Sequence, residues 1–207
     1  MRRRAFDTVM SSAGALIAVL LLVAGGLLIW AHAFIDSNVH TQLAAQQIEF
    51  PAAGSPGLKA DPEITRYVTP YAGQRVTDGA QAEVFADHYI AVHLREIGQG
   101  KTYSQVSAEF LAMKPTDPGY QQVAQTRQTL FMGETLRGLL LNAYAFWKMG
   151  QIALWAAITS FVGAGLMLVL AALGFRHGRH VAPAAAVFEG HVPAPRQAVS
   201  GEQLTGV

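Results

Sequence analysis

Positions 149–175 of this chain carry no charged side chain, and neither do positions 8–35. About 20 apolar residues in a helix, rising 1.5 Å each, cross the roughly 30 Å hydrocarbon core of a bilayer. Segments 11–34 and 151–175 both reach that length. Charged residues make up 14% of the chain, against about 25% in an average globular protein. The deficit is concentrated in these two blocks, which points to membrane spans rather than to one apolar core. The expected fold class is an all-α membrane protein. Two transmembrane helices bracket a helical extracytoplasmic domain, and the second span is continuous with a long stalk helix. The expected segments are a cytoplasmic N-terminus (1–10), a first span (11–35), the extracytoplasmic domain (36–148), a second span (149–175) and a disordered cytoplasmic tail (176–207).

The first hydrophobic run has two further readings. Ala31-His32-Ala33 fits the small-x-small pattern of a cleaved secretory signal, although the run exceeds the usual 7–15-residue signal core of about that size. Arg3-Arg4-Ala5-Phe6 is similar to a twin-arginine export signal. A transmembrane helix with Trp30 as its interfacial aromatic fits the length best. Orientation follows from the basic residues beside the spans. Arg2, Arg3 and Arg4 precede the first, and Arg176 and Arg179 follow the second. Both termini are therefore expected in the cytoplasm, and the inner (plasma) membrane is the expected location.

The intervening segment reads as helices joined by turns. Asp36 or Ser37 can cap a helix running to about Gln47, continuous with the first span or just after it, which Phe50-Pro51 ends. Positions 51–79 are rich in proline and glycine and read as a loop, with a short extended piece at 64–68. Asp78 with Gln81 matches a capping box for a helix that stops at Gly98. Thr102 caps another, over 103–113. Asp117-Pro118-Gly119 turns the chain, and no helix breaker then interrupts 120–175. Gly133, Gly138 and Gly150 lie inside that stretch and each costs only about 1 kcal/mol.

Small residues recur in the spans at helical spacing. Gly14, Ala18, Leu22 and Gly26 form one i, i+4 row, and Ala156, Ser160, Ala164 and Leu168 form another. Such rows let helix backbones approach closely, within one chain or between subunits. Glu134 and Arg137 are the charges to watch, three residues apart in an apolar stretch beside the second span. One reading is a surface ion pair worth about 0–1 kcal/mol. The other is a buried contact that fixes the stalk against its partner helices.

No motif names a reaction, and neither catalytic residues nor a cofactor nor a metal site is expected. The chain has no cysteine, which excludes disulfides and thiolate chemistry. His88 and His93 are five residues apart, about 140° on a helix, whereas paired ligands want i, i+3 or i, i+4. Gly100-Lys101-Thr102 ends like a phosphate loop, but position 95 is Arg where that motif needs Gly. Glu83 and Asp87 read as a solvated helix face. A net charge of +1 offers no field for nucleic acid.

Three stretches carry a resemblance: Leu43-Ala44-Ala45-Gln46-Gln47-Ile48-Glu49-Phe50-Pro51, Ala86-Asp87-His88-Tyr89-Ile90-Ala91-Val92-His93-Leu94, and positions 128–144 from Gln128-Thr129-Leu130-Phe131-Met132-Gly133 to Asn142-Ala143-Tyr144. With these the chain resembles a family of actinobacterial two-span membrane proteins of unknown function, over most of 10–174. Some relatives carry the label aromatic ring-opening dioxygenase. The non-haem iron of such an enzyme needs a histidine–carboxylate cluster with open positions, and no tight motif of that kind is present. The resemblance implies the architecture and no activity. The expected function is that of a non-enzymatic accessory or structural subunit of a cell-envelope assembly. The alternatives are an extracytoplasmic ligand-binding or sensing module and, third, a metal-dependent dioxygenase. The expected partners are the lipid bilayer and either other membrane subunits or further copies of this chain.

Overall fold

A computed structural model describes residues 3–59 and 61–180. It is all-helical, and two of its helices are long and apolar enough to cross a membrane. In chain order the helices are α1 (Arg3–Gln46), α2 (Pro56–Lys59), α3 (Pro62–Val68), α4 (Gly79–Phe85), α5 (Ala91–Ile97), α6 (Tyr103–Ala112) and α7 (Tyr120–His180). A 3-10 turn (Thr69–Tyr71) follows α3, and a π turn (Ala86–Ile90) joins α4 to α5.

Several expectations are corrected. Of the two readings for 36–47 the continuous one holds: α1 runs through Asp36 and Ser37 without a break, so neither of them caps a helix start. This helix ends before Phe50-Pro51, where Gln47 turns into the left-handed region at φ 52°. Positions 64–68 are helical, not extended. Asp61 caps α3 by accepting from the Glu63 N–H at 2.6 Å, and Pro62 sits at the first helical position, where its missing N–H costs nothing. The 51–79 stretch thus holds two short helices inside the expected loop. At the far end α7 passes Phe175 and takes in Arg176–His180, which were expected in the tail. The rest of that tail, 181–207, lies outside the described residues.

The caps at the other starts follow local chemistry. The Asp78 carboxylate accepts from the Gln81 N–H at 2.8 Å. The return bond lands one residue early: Gln81 Oε1 accepts from the Thr77 N–H at 2.7 Å. Thr102 and Gln105 close a full capping box on α6. Gly98 closes α5, its N–H donating to the Leu94 carbonyl at 2.9 Å.

The described residues divide into two compact units, 3–22 with 161–180 and 23–160. In the first, α1 and α7 run antiparallel through small residues. A Cβ on Gly14 would meet the Ala171 Cβ at 3.8 Å, and one on Gly163 would meet Leu21 Cδ1 at 3.3 Å. Ser11 is seated against Gly174. The buried positions on α1 are Ser11 and Ala18, with Gly14 half-buried between them and Leu21 half-buried after them. On α7 they are Ala164, Ala171 and Gly178, with Met167 and Gly174 between. Steps of three and four average 3.5 residues, the repeat that keeps one seam facing its partner.

In the second unit a hydrophobic core gathers side chains from every helix. Val39, Leu43, Phe50, Ile64, Val68, Val76, Phe85, Val92, Val106, Leu130 and Leu140 are all buried in it. Phe50 stacks on Tyr71 and meets Phe85 edge-on, with ring centroids 5.3 and 5.2 Å apart. The chain after α1 is stitched to the approach to α4: Val76 N–H donates to Ile48 O, and Phe50 N–H to Gln74 O, both at 2.9 Å. Glu49 and Arg75 pair across this bridge at 3.1 Å. Two glycines allow helices to touch. Gly79 lies directly against Trp147 of α7, and Gly133 of α7 lies directly against Leu94 of α5. A Cβ at either position has no room.

Candidate functional site

The second unit carries two features that bear on function: a chain of polar contacts along the π turn, and an apolar groove beside it.

A π turn carries one more residue per hydrogen-bonded ring than an α-helix. Here the Ala91 N–H reaches back to the Ala86 carbonyl. Within this turn Asp87 meets α7. Arg137 donates to Asp87 Oδ1 from both Nε (3.2 Å) and Nη2 (2.8 Å), and its Nη1 donates to Glu134 Oε2 at 3.3 Å. Arg137 and Asp87 are each about one-third exposed. The hydrogen bond to Asp87 raises the Arg137 pKa further above its ordinary value. Burial opposes that shift and Glu134 adds to it. Asp87 is thus a partner of α7 rather than part of a solvated face. The Glu134–Arg137 pair, which the spacing pointed to, is the weaker half of a three-residue contact.

On the same turn His88 turns to α3. Its Nδ1 lies 3.0 Å from Glu63 Oε1, so with an ionised Glu63 that nitrogen is the one carrying the proton. Its ring stacks on Tyr67 at 3.9 Å between centroids. Arg95 approaches the other Glu63 oxygen at 3.5 Å. His93 instead bonds the Tyr89 carbonyl through Nδ1 at 2.8 Å. The two histidines therefore have separate partners. Among the described residues no group of three His, Asp or Glu side chains is placed to hold a metal ion. Lys101 pairs with Glu109 at 2.6 Å, and Thr102 caps α6.

The small-residue rows divide between seam and surface. Ala18 and Ala164 are fully buried, and Gly14, Ala156 and Ser160 are half-buried. The Ser160 hydroxyl donates to the Ala156 carbonyl at 2.8 Å. Leu22, Gly26 and Leu168 are exposed, and a Cβ on Gly26 would meet nothing within 4 Å. A row of fixed i+4 steps turns about 40° off its face at each step, while alternating threes and fours stay on it. In the second unit Gly150 and Ala157, seven residues apart, are buried on α7. A Cβ at Gly150 would lie 3.1 Å from the Ile35 side chain, and the Gly150 carbonyl bonds His32 Nδ1 at 3.0 Å. Neither His32 nor Gly25, which is buried seven residues before it, lies on the i, i+4 row.

The groove runs between the 34–46 part of α1 and the 136–149 part of α7, with a volume of about 540 Å³. Phe34, Val39 and Leu43 line one wall, and Leu136, Leu139 and Phe146 the other. Its polar lining consists of the amides Asn38, Gln42, Gln46 and Asn142, and no charged side chain takes part. Such a cleft lies within the 300–1,000 Å³ typical, on the order of magnitude, of sites for small apolar ligands. The sequence had offered only apolar residues on two separate helices here. Which of their faces stays open depends on where the other helices pack.

No family model, no curated protein and no solved structure matches this chain.

Proposed function

We propose that this chain is a non-enzymatic integral membrane protein of the cell envelope whose helical domain lies outside the cytoplasm and serves as a ligand-binding module. In this reading both long helices cross the plasma membrane and both termini are cytoplasmic. The exposure of their apolar stretches supports the placement: only 11% and 17% of the most apolar windows of α1 and α7 are buried. A core helix of a water-soluble protein hides such residues. The basic residues at 2–4 and at 176 and 179 support the orientation. Membership of the actinobacterial two-span family rests on the three stretches quoted above and belongs to the same proposal. The absence of an enzymatic role is read from a sequence without a reaction motif.

The binding role rests on one observation, the uncharged groove between α1 and α7. Thermal unfolding of the purified full-length protein against apolar, polar and metal ligands tests it. A rise in Tm with an apolar ligand is the expected result. If no ligand raises Tm, the binding role fails.

A second reading, an accessory subunit of an envelope assembly, is favoured by a different surface. Leu111 on α6 and Phe131 and Met132 on α7 are large, apolar, at least half exposed and outside the groove. A photocrosslinking residue at Met132 in intact membranes tests it. Capture of one defined envelope protein supports this reading, and a strictly solitary monomer contradicts it.

A further inference from the structure

We propose that the groove between α1 and α7 takes one acyl tail of an outer-leaflet membrane lipid, drawn out of the bilayer along the protein. The inference rests on the two-span placement proposed above and names the ligand class of that site.

Four observations converge. The first is chemistry: the walls are apolar, the polar lining is amide, and no charge is present to meet a charged ligand or a protein's charged rim. The second is length. From Phe34 to Gln46 the groove follows about 18 Å of helix at 1.5 Å per residue. A tail that fills one leaflet spans roughly 15 Å, half of the ~30 Å hydrocarbon core. The third is volume: about 540 Å³ suits one chain and is too little for a helix with its side chains. The fourth is continuity. Phe34 and Met149 line the groove, and the residues within two turns of them further into the expected spans, Trp30 on α1 and Ile152 and Trp155 on α7, are apolar and exposed. Trp30 stacks on Phe34 with centroids 5.7 Å apart. Asp36 and Lys148 are the charges nearest this end in the chain, and neither is part of the groove's lining.

The test uses the full chain in nanodiscs of phosphatidylcholine and phosphatidylglycerol, with a phosphatidylcholine bearing a diazirine at the end of one tail. In an ordinary leaflet that group sits at the bilayer centre, so labelling of 38–46 and 136–143 after irradiation reports a tail pointing out of the membrane. The expected result is labelling of both segments, reduced at least fivefold in the double variant Leu139→Gln, Phe146→Gln. Both side chains are at least half exposed, so the variant keeps its fold, which circular dichroism checks. Labelling of the span residues stays unchanged and serves as the internal control. Label confined to the spans overturns the groove proposal and leaves the membrane reading intact. No label on either overturns the membrane reading itself. The chain has no cysteine of its own. Quantitative disulfide formation between copies of Leu139→Cys would show that a second chain covers the groove, which also overturns the proposal.

Discussion

Arg137 on α7 grips Asp87, 50 positions earlier in the chain, with two nitrogens on a single carboxylate oxygen at 2.8 and 3.2 Å. The contact ties the π turn to the longest helix of the fold. Both side chains are about one-third exposed, so solvent screens the pair and its contribution is of order 1 kcal/mol or less. A double-mutant cycle with Arg137→Met and Asp87→Asn should return a coupling of about 0.5–1 kcal/mol in thermal unfolding. Removal of Glu134, at 3.3 Å and more exposed, should cost less than removal of Asp87. A raised arginine pKa stabilises fully below the unfolded value and loses that contribution only as pH climbs through the folded one. Arg137 therefore supplies no titration near neutrality, and the coupling should be the same at pH 6 and pH 8.

Three glycines of the second unit should respond oppositely to alanine. Gly79→Ala drives a methyl into Trp147, and Gly133→Ala drives one into Leu94. Each should destabilise by about 1–3 kcal/mol, the usual cost of overpacking. Gly138 lies on an exposed helical face with nothing within 4 Å of a new Cβ. Gly138→Ala should stabilise by about 0.5–1 kcal/mol. Thermal unfolding of the three variants in one detergent decides the matter. Equal losses at all three would contradict the packing described.

Thr102→Ala removes the bond that Thr102 Oγ1 accepts from the Gln105 N–H at 3.3 Å. The loss should be about 1 kcal/mol, with faster amide exchange in the first turn of α6. Asp78→Ala should act likewise on α4, whose cap distance is 2.8 Å. Exchange that is unchanged at both starts would show that these side chains do not hold the helix ends.

The seam predicts which small residues tolerate bulk. Ala171 is buried against Gly14, whereas Gly26 has open space around it. Ala171→Leu should separate α1 from α7 in the first unit and lower resistance to detergent-induced unfolding. Gly26→Leu should leave it unchanged. The reverse order would restore the i, i+4 face.

What could be read from the sequence was local. Asp78 and Thr102 announce helix starts because a cap and its helix are neighbours in the chain. The unbroken run from Tyr120 needed only the absence of a breaker. Asp61-Pro62 carried the same kind of signal, a cap followed by proline at the first helical position. It was masked by the surrounding proline and glycine. Two features had no local signal. The π turn leaves no mark in Ala86–Ile90, and the Asp87–Arg137 contact depends on two elements 50 positions apart meeting at a defined register. The small-residue face was visible as composition, but its period was not: four-residue steps select Gly26, while the structure buries Gly25. The groove was hidden for a related reason, since Leu139 and Phe146 look like core residues until the faces of both helices are known.

The central claim is that the second unit's domain lies outside the cytoplasm between two membrane spans. Because the chain lacks cysteine, single substitutions give clean probes. Gln125→Cys, on the exposed part of α7, and Arg4→Cys, before the first span, should be treated with a membrane-impermeant maleimide on intact cells. The account predicts that Gln125→Cys is labelled at once and Arg4→Cys only after permeabilisation. Labelling of Arg4→Cys with protection of Gln125→Cys would contradict the orientation. Release of either variant into the soluble fraction by carbonate would contradict the membrane anchor itself.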